Sequence, residues 1–207
     1  MSLQSLQNLC RKLFREIEWA TALEAKIEAV KSKSLESFVG GHAGYILGLD
    51  HIASVREMIM TACRLFDEGA ANRESLTKAF HLLRRPDVRA ELIRSERKRL
   101  QFQEGKDVAE QIVALESKWK TLRKKNARAV ERLKSARDTT LAHSLDTPPS
   151  QSPIYKDLFD VIAAAREIVG DLALIAGTNL KGFGTAQSIW KQRADEYWEV
   201  LVAGPRL

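Results

Sequence analysis

Arg137 and His143 are the pair of side chains whose types and spacing could do chemistry together. They bracket the run Arg137-Asp138-Thr139-Thr140-Leu141-Ala142-His143, in which Asp138 places a carboxylate beside the arginine. A histidine of near-neutral pKa can take the proton from a 2′-hydroxyl of RNA or give one to the leaving 5′-oxygen. An arginine can hold the scissile phosphate and stabilise its developing charge. RNA brings its own nucleophile, so this chemistry asks for no metal, no cofactor and no nucleophile from the protein. The spacing by itself is weak, because an R-x(4–6)-H match arises about once by chance in a chain of this arginine and histidine content.

What leads into the motif is basic. Lys118, Lys120, Arg123, Lys124, Lys125, Arg128, Arg132, Lys134 and Arg137 stand against a single acid, Glu131, giving +8 within twenty residues. A helix that only solvates its outer face would interleave Glu for i, i+4 pairs, and here acids are nearly missing. Arg84 to Arg99 adds a further +4, so the rest of the chain is −6 against a total of +6. Charge segregated in this way predicts a surface facing a polyanion such as RNA.

Other chemistries are excluded by inspection. There is no HExxH, and His42, His51, His81 and His143 form no i, i+3 or i, i+4 pair with one another, so no metal site is expected. No GxxxxGK[ST] loop and no GxSxG elbow exist. Gly182-Phe183-Gly184 follows a helical pattern and reads as a turn, and Gly40 to Gly44 reads as a helix break rather than a phosphate cradle. Cys10 and Cys63 cannot build a disulfide framework. No run approaches the roughly 18 apolar residues of a membrane span. A soluble protein of a reducing, cytoplasmic compartment is expected, with no membrane contact.

The elements that must position the motif are helices. Glycine and proline are scarce, and apolar residues recur at helical spacing. A first helix runs from Leu3 to Val30. A second, apolar on most sides (Ile46, Leu49, Ile52, Val55, Ile59, Leu65), runs to about Asp67 and is expected to be central and buried. Short helices follow over Arg73–Arg84 and from Asp87 to about Gln103. The fifth is the most regular: Val108, Ile112, Leu115, Trp119, Leu122, Asn126, Ala129, Leu133 and Ala136 alternate at spacings of four and three, a heptad seam. Continued in phase, that seam reaches Thr140 and His143, with Arg137 about −120° away and able to lean into the same groove. Ile154–Ile175 is a sixth helix, Gly177–Gly184 a hinge, and Ile189–Val202 a last helix. The pattern predicts an all-α, antiparallel helical bundle of about five to seven helices. Residues 1–207 form one domain, with 1–40 an N-terminal packing helix and 177–207 a C-terminal accessory helix.

The run Arg137-Asp138-Thr139-Thr140-Leu141-Ala142-His143-Ser144 resembles the R-[polar]-x(3)-AH core of the HEPN superfamily (higher eukaryotes and prokaryotes nucleotide-binding domains). Asp138 fills the polar position and Ala142 precedes the histidine. Arg64-Leu65-Phe66-Asp67 is similar to the RLFD-like element that ends an earlier long helix in the abortive-infection, AbiU-like branch. The likeness is good over roughly Ile46 to Ser144; the flanking helices fit as generic bundle helices. It implies a metal-independent endoribonuclease working as a homodimer around a shared cleft, in a toxin–antitoxin or phage-defence context with an antitoxin protein as a partner. Arg137 and His143 carry over as catalytic and Asp138 as their polar partner. Arg64 and Asp67 carry over as residues of a recurring element whose role is open. The alternatives are a noncatalytic RNA-binding or regulatory module, which some family members are, and a purely structural bundle. The polar seam residues Asn126, Thr140 and His143 suggest that the end of the fifth helix meets a second chain.

Overall fold

The computed structural model describes residues 3–32, 42–68, 74–99, 107–138, 154–178 and 183–203. Among them are seven helices and no strand: α1 (Leu3–Ser32), α2 (His42–Leu65), α3 (Leu76–Leu83), α4 (Pro86–Arg99), α5 (Val108–Ala136), α6 (Tyr155–Ile175) and α7 (Phe183–Ala203). The expected all-α bundle is observed.

Local chemistry sets the helix ends. The Ser75 hydroxyl accepts the Lys78 N–H at 3.3 Å and starts α3. Pro86 opens α4, at a position where its missing N–H would have had no partner. Asp107 caps α5, accepting the Ala109 N–H at 3.0 Å. At the end of α6, Gly177 adopts φ 66°, and the Thr178 and Gly177 amides bond back to the carbonyls of Ala173 (3.0 Å) and Leu174 (3.1 Å). This is a Schellman closure, which glycine enters without the Cβ clash of other residues. α2 and α7 each begin within an expected break, so the last glycine of each break is helical. Gly44 falls in the first turn of α2, and Gly184 in the first turn of α7.

The N-terminal helix packs widely across the bundle. α1 touches α2, α3, α4, α6 and α7, and buries Leu6, Leu13, Ile17 and Ile27 completely. The expectation for α2 is corrected. Its second half is buried (Met58, Ile59, Ala62, Cys63, Leu65), but Tyr45, Ile46, Leu49 and Ile52 are exposed, with Ile46 at 63%. The first half of α2 meets the bundle through Leu47, beside Ala29, Val30 and Trp198, and through the Lys26–Asp50 ion pair at 2.6 Å. A helix apolar on all sides has no polar face to show where its buried portion stops.

The α5 seam lies where the spacing puts it. Eight of its nine residues are buried and Leu122 is half-buried, with α6, α2 and α4 against the helix. Burying each large apolar side chain contributes about 1.5–3 kcal/mol, against about 0–1 kcal/mol for a surface ion pair. The seam therefore decides how α5 packs, and the charged contacts refine it. Asn126 is buried in the seam and donates to the Leu122 carbonyl of its own helix at 2.9 Å. It is satisfied within the chain and gives no support to an intermolecular seam.

α5 and α6 are also joined by charge. Arg132 places Nε 2.7 Å from Asp157 Oδ2, and its Nη2 meets Oδ1. Asp157 also accepts the Ile154 N–H at 3.2 Å, which caps α6. The Arg132 hydrogen bond holds the Asp157 carboxyl below its ordinary range. A carboxyl depressed on folding contributes stability above its unfolded pKa, and that contribution fades as pH falls through the folded value. Asp157→Asn should therefore melt below the wild type at neutral pH, with the gap closing in acid below the ordinary carboxylate range. A gap of constant size from neutral to strongly acid pH would show that the charge contributes nothing.

Candidate active site

A cleft of about 580 Å³ opens where three helices meet, lined by Glu16, Met60, Arg64, Leu65, Glu74, Arg137 and Asp138. Its size is that of ordinary small-ligand sites. The structure thus brings Arg137 and Asp138 together with Arg64, although 73 positions separate the two arginines in the chain.

Arg137 caps α5. Its N–H bonds to the carbonyls of Leu133 and Lys134, and Arg137–Asp138 widens into a π-turn. Such turns often mark functional positions. The side chain is 24% exposed and donates from Nε to Asp138 Oδ1 at 2.7 Å. That hydrogen bond, with further help from Asp67, keeps the guanidinium charged against partial burial. Thr139, Thr140 and His143 lie outside the described residues.

The Arg64-Leu65-Phe66-Asp67 element divides between core and cleft. Leu65 and Phe66 are buried, Phe66 against Trp119 with ring centroids 5.5 Å apart. Arg64 faces the cleft, and Asp67 is near enough to favour the charge on Arg137. Cys63, one residue before the element, was unremarkable in the sequence. It is buried beside Arg137, Lys134, Asp138 and Asp67, and burial pushes its thiol up to about 11. A thiol so raised stays protonated and unreactive at neutral pH. Glu16 and Glu74 are further cleft residues that carry no sequence signal. They reach the cleft from α1 and from the approach to α3, and Glu74 pairs with Lys12. No local spacing links either to Arg137.

The basic run on α5 splits in two. Lys118 pairs with Glu167 and Asp171 of α6, both at 2.6 Å; Arg123 pairs with Glu68, and Arg132 with Asp157. These three are committed to the fold. Lys120, Lys124, Lys125 and Arg128 are exposed and carry no ion pair among the described residues, and Lys134 is half-buried near Cys63. Lys120, Lys124 and Arg128 follow at i, i+4, so they form one stripe. In the second basic segment, Arg84 and Arg89 pair with Glu116 at 3.1 and 2.9 Å, and Arg85 pairs with Asp87. That segment offers less free charge than its composition implies. No described helix is long and apolar enough to cross a membrane.

The model of the HEPN family AbiU2 matches residues 3–189. The match reaches well beyond the region of good likeness expected from the motifs, taking in α1, α6 and the start of α7. No curated protein and no solved structure matches the chain.

Proposed function

The chain belongs to the HEPN family AbiU2, and from that premise we propose that it is a metal-independent endoribonuclease acting in abortive infection. Arg137 grips the scissile phosphodiester and stabilises its developing charge, and Asp138 orients the guanidinium. His143 moves the proton. The RNA 2′-oxygen attacks phosphorus, its proton passes to the base, and the bond to the 5′-oxygen breaks as that oxygen is protonated. A 2′,3′-cyclic phosphate and a 5′-hydroxyl end result. The observation that carries this reading is the cleft in which Arg137 and Asp138 stand with Arg64 of the second motif. Lys120, Lys124, Lys125, Arg128 and Lys134 lead RNA toward it. The working unit is a homodimer in which two motifs share one cleft, the location is cytoplasmic, and an antitoxin protein is a fitting partner.

The decisive experiment is labelled single-stranded RNA incubated with the protein in EDTA. Cleavage to cyclic-phosphate ends is expected. RNA retained without cleavage would make the protein a noncatalytic RNA-binding module, and neither result would leave a structural bundle. With about five free basic residues, log K should fall with log[salt] at a slope of roughly −3.5 for single strands. Reversing Lys124, Lys125 and Arg128 to Glu should flatten that slope; an unchanged slope would place the RNA elsewhere. A strict monomer in light scattering at micromolar concentration would remove the shared cleft.

A further inference from the structure

We propose that Arg64 is a second phosphate-gripping arginine of the Arg137 cleft, presented by a clamp of Glu16 and Glu57 whose carboxylates compete with RNA phosphate for its guanidinium. The inference rests on the ribonuclease reading above and adds to it a residue, a ligand group and a regulating contact.

The hydrogen bonding of Arg64 is lopsided. Its Nη2 alone meets Glu16 Oε2 at 3.0 Å, Glu57 Oε1 at 3.1 Å and Thr61 Oγ1 at 2.8 Å. One amino group has two hydrogens, so three acceptors share them. Nε is buried without a hydrogen-bond partner. A guanidinium has five N–H donors, and the bonds described for this one all leave from Nη2. Arg166, which joins α6 to α1, shows the same one-nitrogen pattern on Thr21 and Glu24 with Nε unpartnered, but it is only 14% exposed and lines no part of this cleft; two other arginines close a fork on a carboxylate. Arg132 sets Nε and Nη2 together on Asp157, and Arg85 does the same on Asp87 at 3.0 and 2.8 Å. Those are bidentate forks closed on a carboxylate. Arg64 is instead held by one nitrogen, with its side chain 43% exposed on the wall of the cleft.

The charges around it explain why a clamp is present. Two arginines facing one cleft repel each other, and nearby carboxylates offset that cost. Glu74, the third acid of the wall besides Glu16 and Asp138, is balanced by Lys12. The Glu16 and Glu57 hydrogen bonds keep Arg64 firmly protonated. Both bonds are partly exposed to solvent, so each contributes little and yields readily to a doubly liganding phosphate.

The test is RNA binding against salt, with a labelled single-stranded oligoribonucleotide. All proteins carry His143→Ala, so that binding is read without cleavage. Adding Arg64→Gln should lower affinity about tenfold and make the log–log salt slope shallower by about 0.7. Arg64→Lys should keep the slope, because it keeps the charge, while losing affinity. Glu16→Gln should tighten binding, since it removes a competitor. A merely structural Arg64 cluster gives the opposite sign there: weaker binding together with a lower melting temperature. An unchanged slope in Arg64→Gln, or weakened binding in Glu16→Gln, overturns the inference. If Arg64→Gln does not fold, Arg64→Lys and Glu16→Gln decide it. Wild-type cleavage in EDTA with an unchanged Arg64→Gln slope sinks this inference alone. A parent protein that neither binds nor cleaves RNA sinks the ribonuclease reading and this inference with it.

Discussion

His143→Ala should lower RNA cleavage by a factor of about 10² to 10⁴, the usual contribution of a positioned general acid or base, while the protein melts at the wild-type temperature. His143 stands seven positions beyond Ala136, the last seam residue seen buried. If histidine is the proton carrier, the wild-type rate should also follow pH with a limb in the imidazole range, and that limb should be absent from the residual activity of the variant. Arg137→Ala makes a useful contrast. Its task is stabilising charge that grows as the 5′-oxygen leaves, so it should lower turnover more than it weakens RNA binding. A soluble, folded His143→Ala protein with full activity would end the catalytic assignment, whatever Arg137→Ala does.

The parts of this structure that are legible in the sequence are those governed by neighbours three and four residues away. The seam from Val108 to Ala136 repeats at four and three, and the structure buries it along its length. The positions of α1 and α6 follow from the same periodicity. Where that signal saturates, it misleads. α2 is apolar nearly all round, so nothing in its pattern says that Tyr45, Ile46, Leu49 and Ile52 stay exposed. A polar residue in the seam suggests a partner chain, yet the Asn126 amide is satisfied four residues back on its own helix. Charge is harder still, because a basic run does not reveal which of its members are already paired. Lys118, Arg123 and Arg132 look like Lys124 and Arg128 in sequence; acids 25 to 55 positions away make the difference. The cleft shares that limit, since Arg64 and Arg137 meet only after α2 and α5 have packed.

The residue on which that packing turns is Trp119, and Trp119→Ala should destabilise the protein by about 3–5 kcal/mol, the range for emptying a large aromatic site in a core. Trp119 is 5% exposed. Its ring stacks on Phe80 at 5.2 Å and 9°, and leans on Phe66 at 5.5 Å and 37°. It joins α5 to α3 and to the end of α2 through contacts worth about 0.5–1.5 kcal/mol each beyond their burial. Set against a total stability of about 5–15 kcal/mol, such a loss is a large fraction. For a chain of this size it corresponds to a fall in melting temperature on the order of 10 °C. The consequence for function comes through Phe66, which sits between Leu65 and Asp67 in the element that carries Arg64 to the cleft. Without the indole, the end of α2 loses its brace against α5, and the relation between Arg64 and Arg137 loosens. Trp119→Phe, which retains a ring in the stack, should recover most of the stability and most of the RNA affinity. Should Trp119→Ala melt within 2–3 °C of wild type, the aromatic cluster would not be what holds α2 and α5 in register, and the cleft would owe its shape to the apolar seam and the α1 contacts instead.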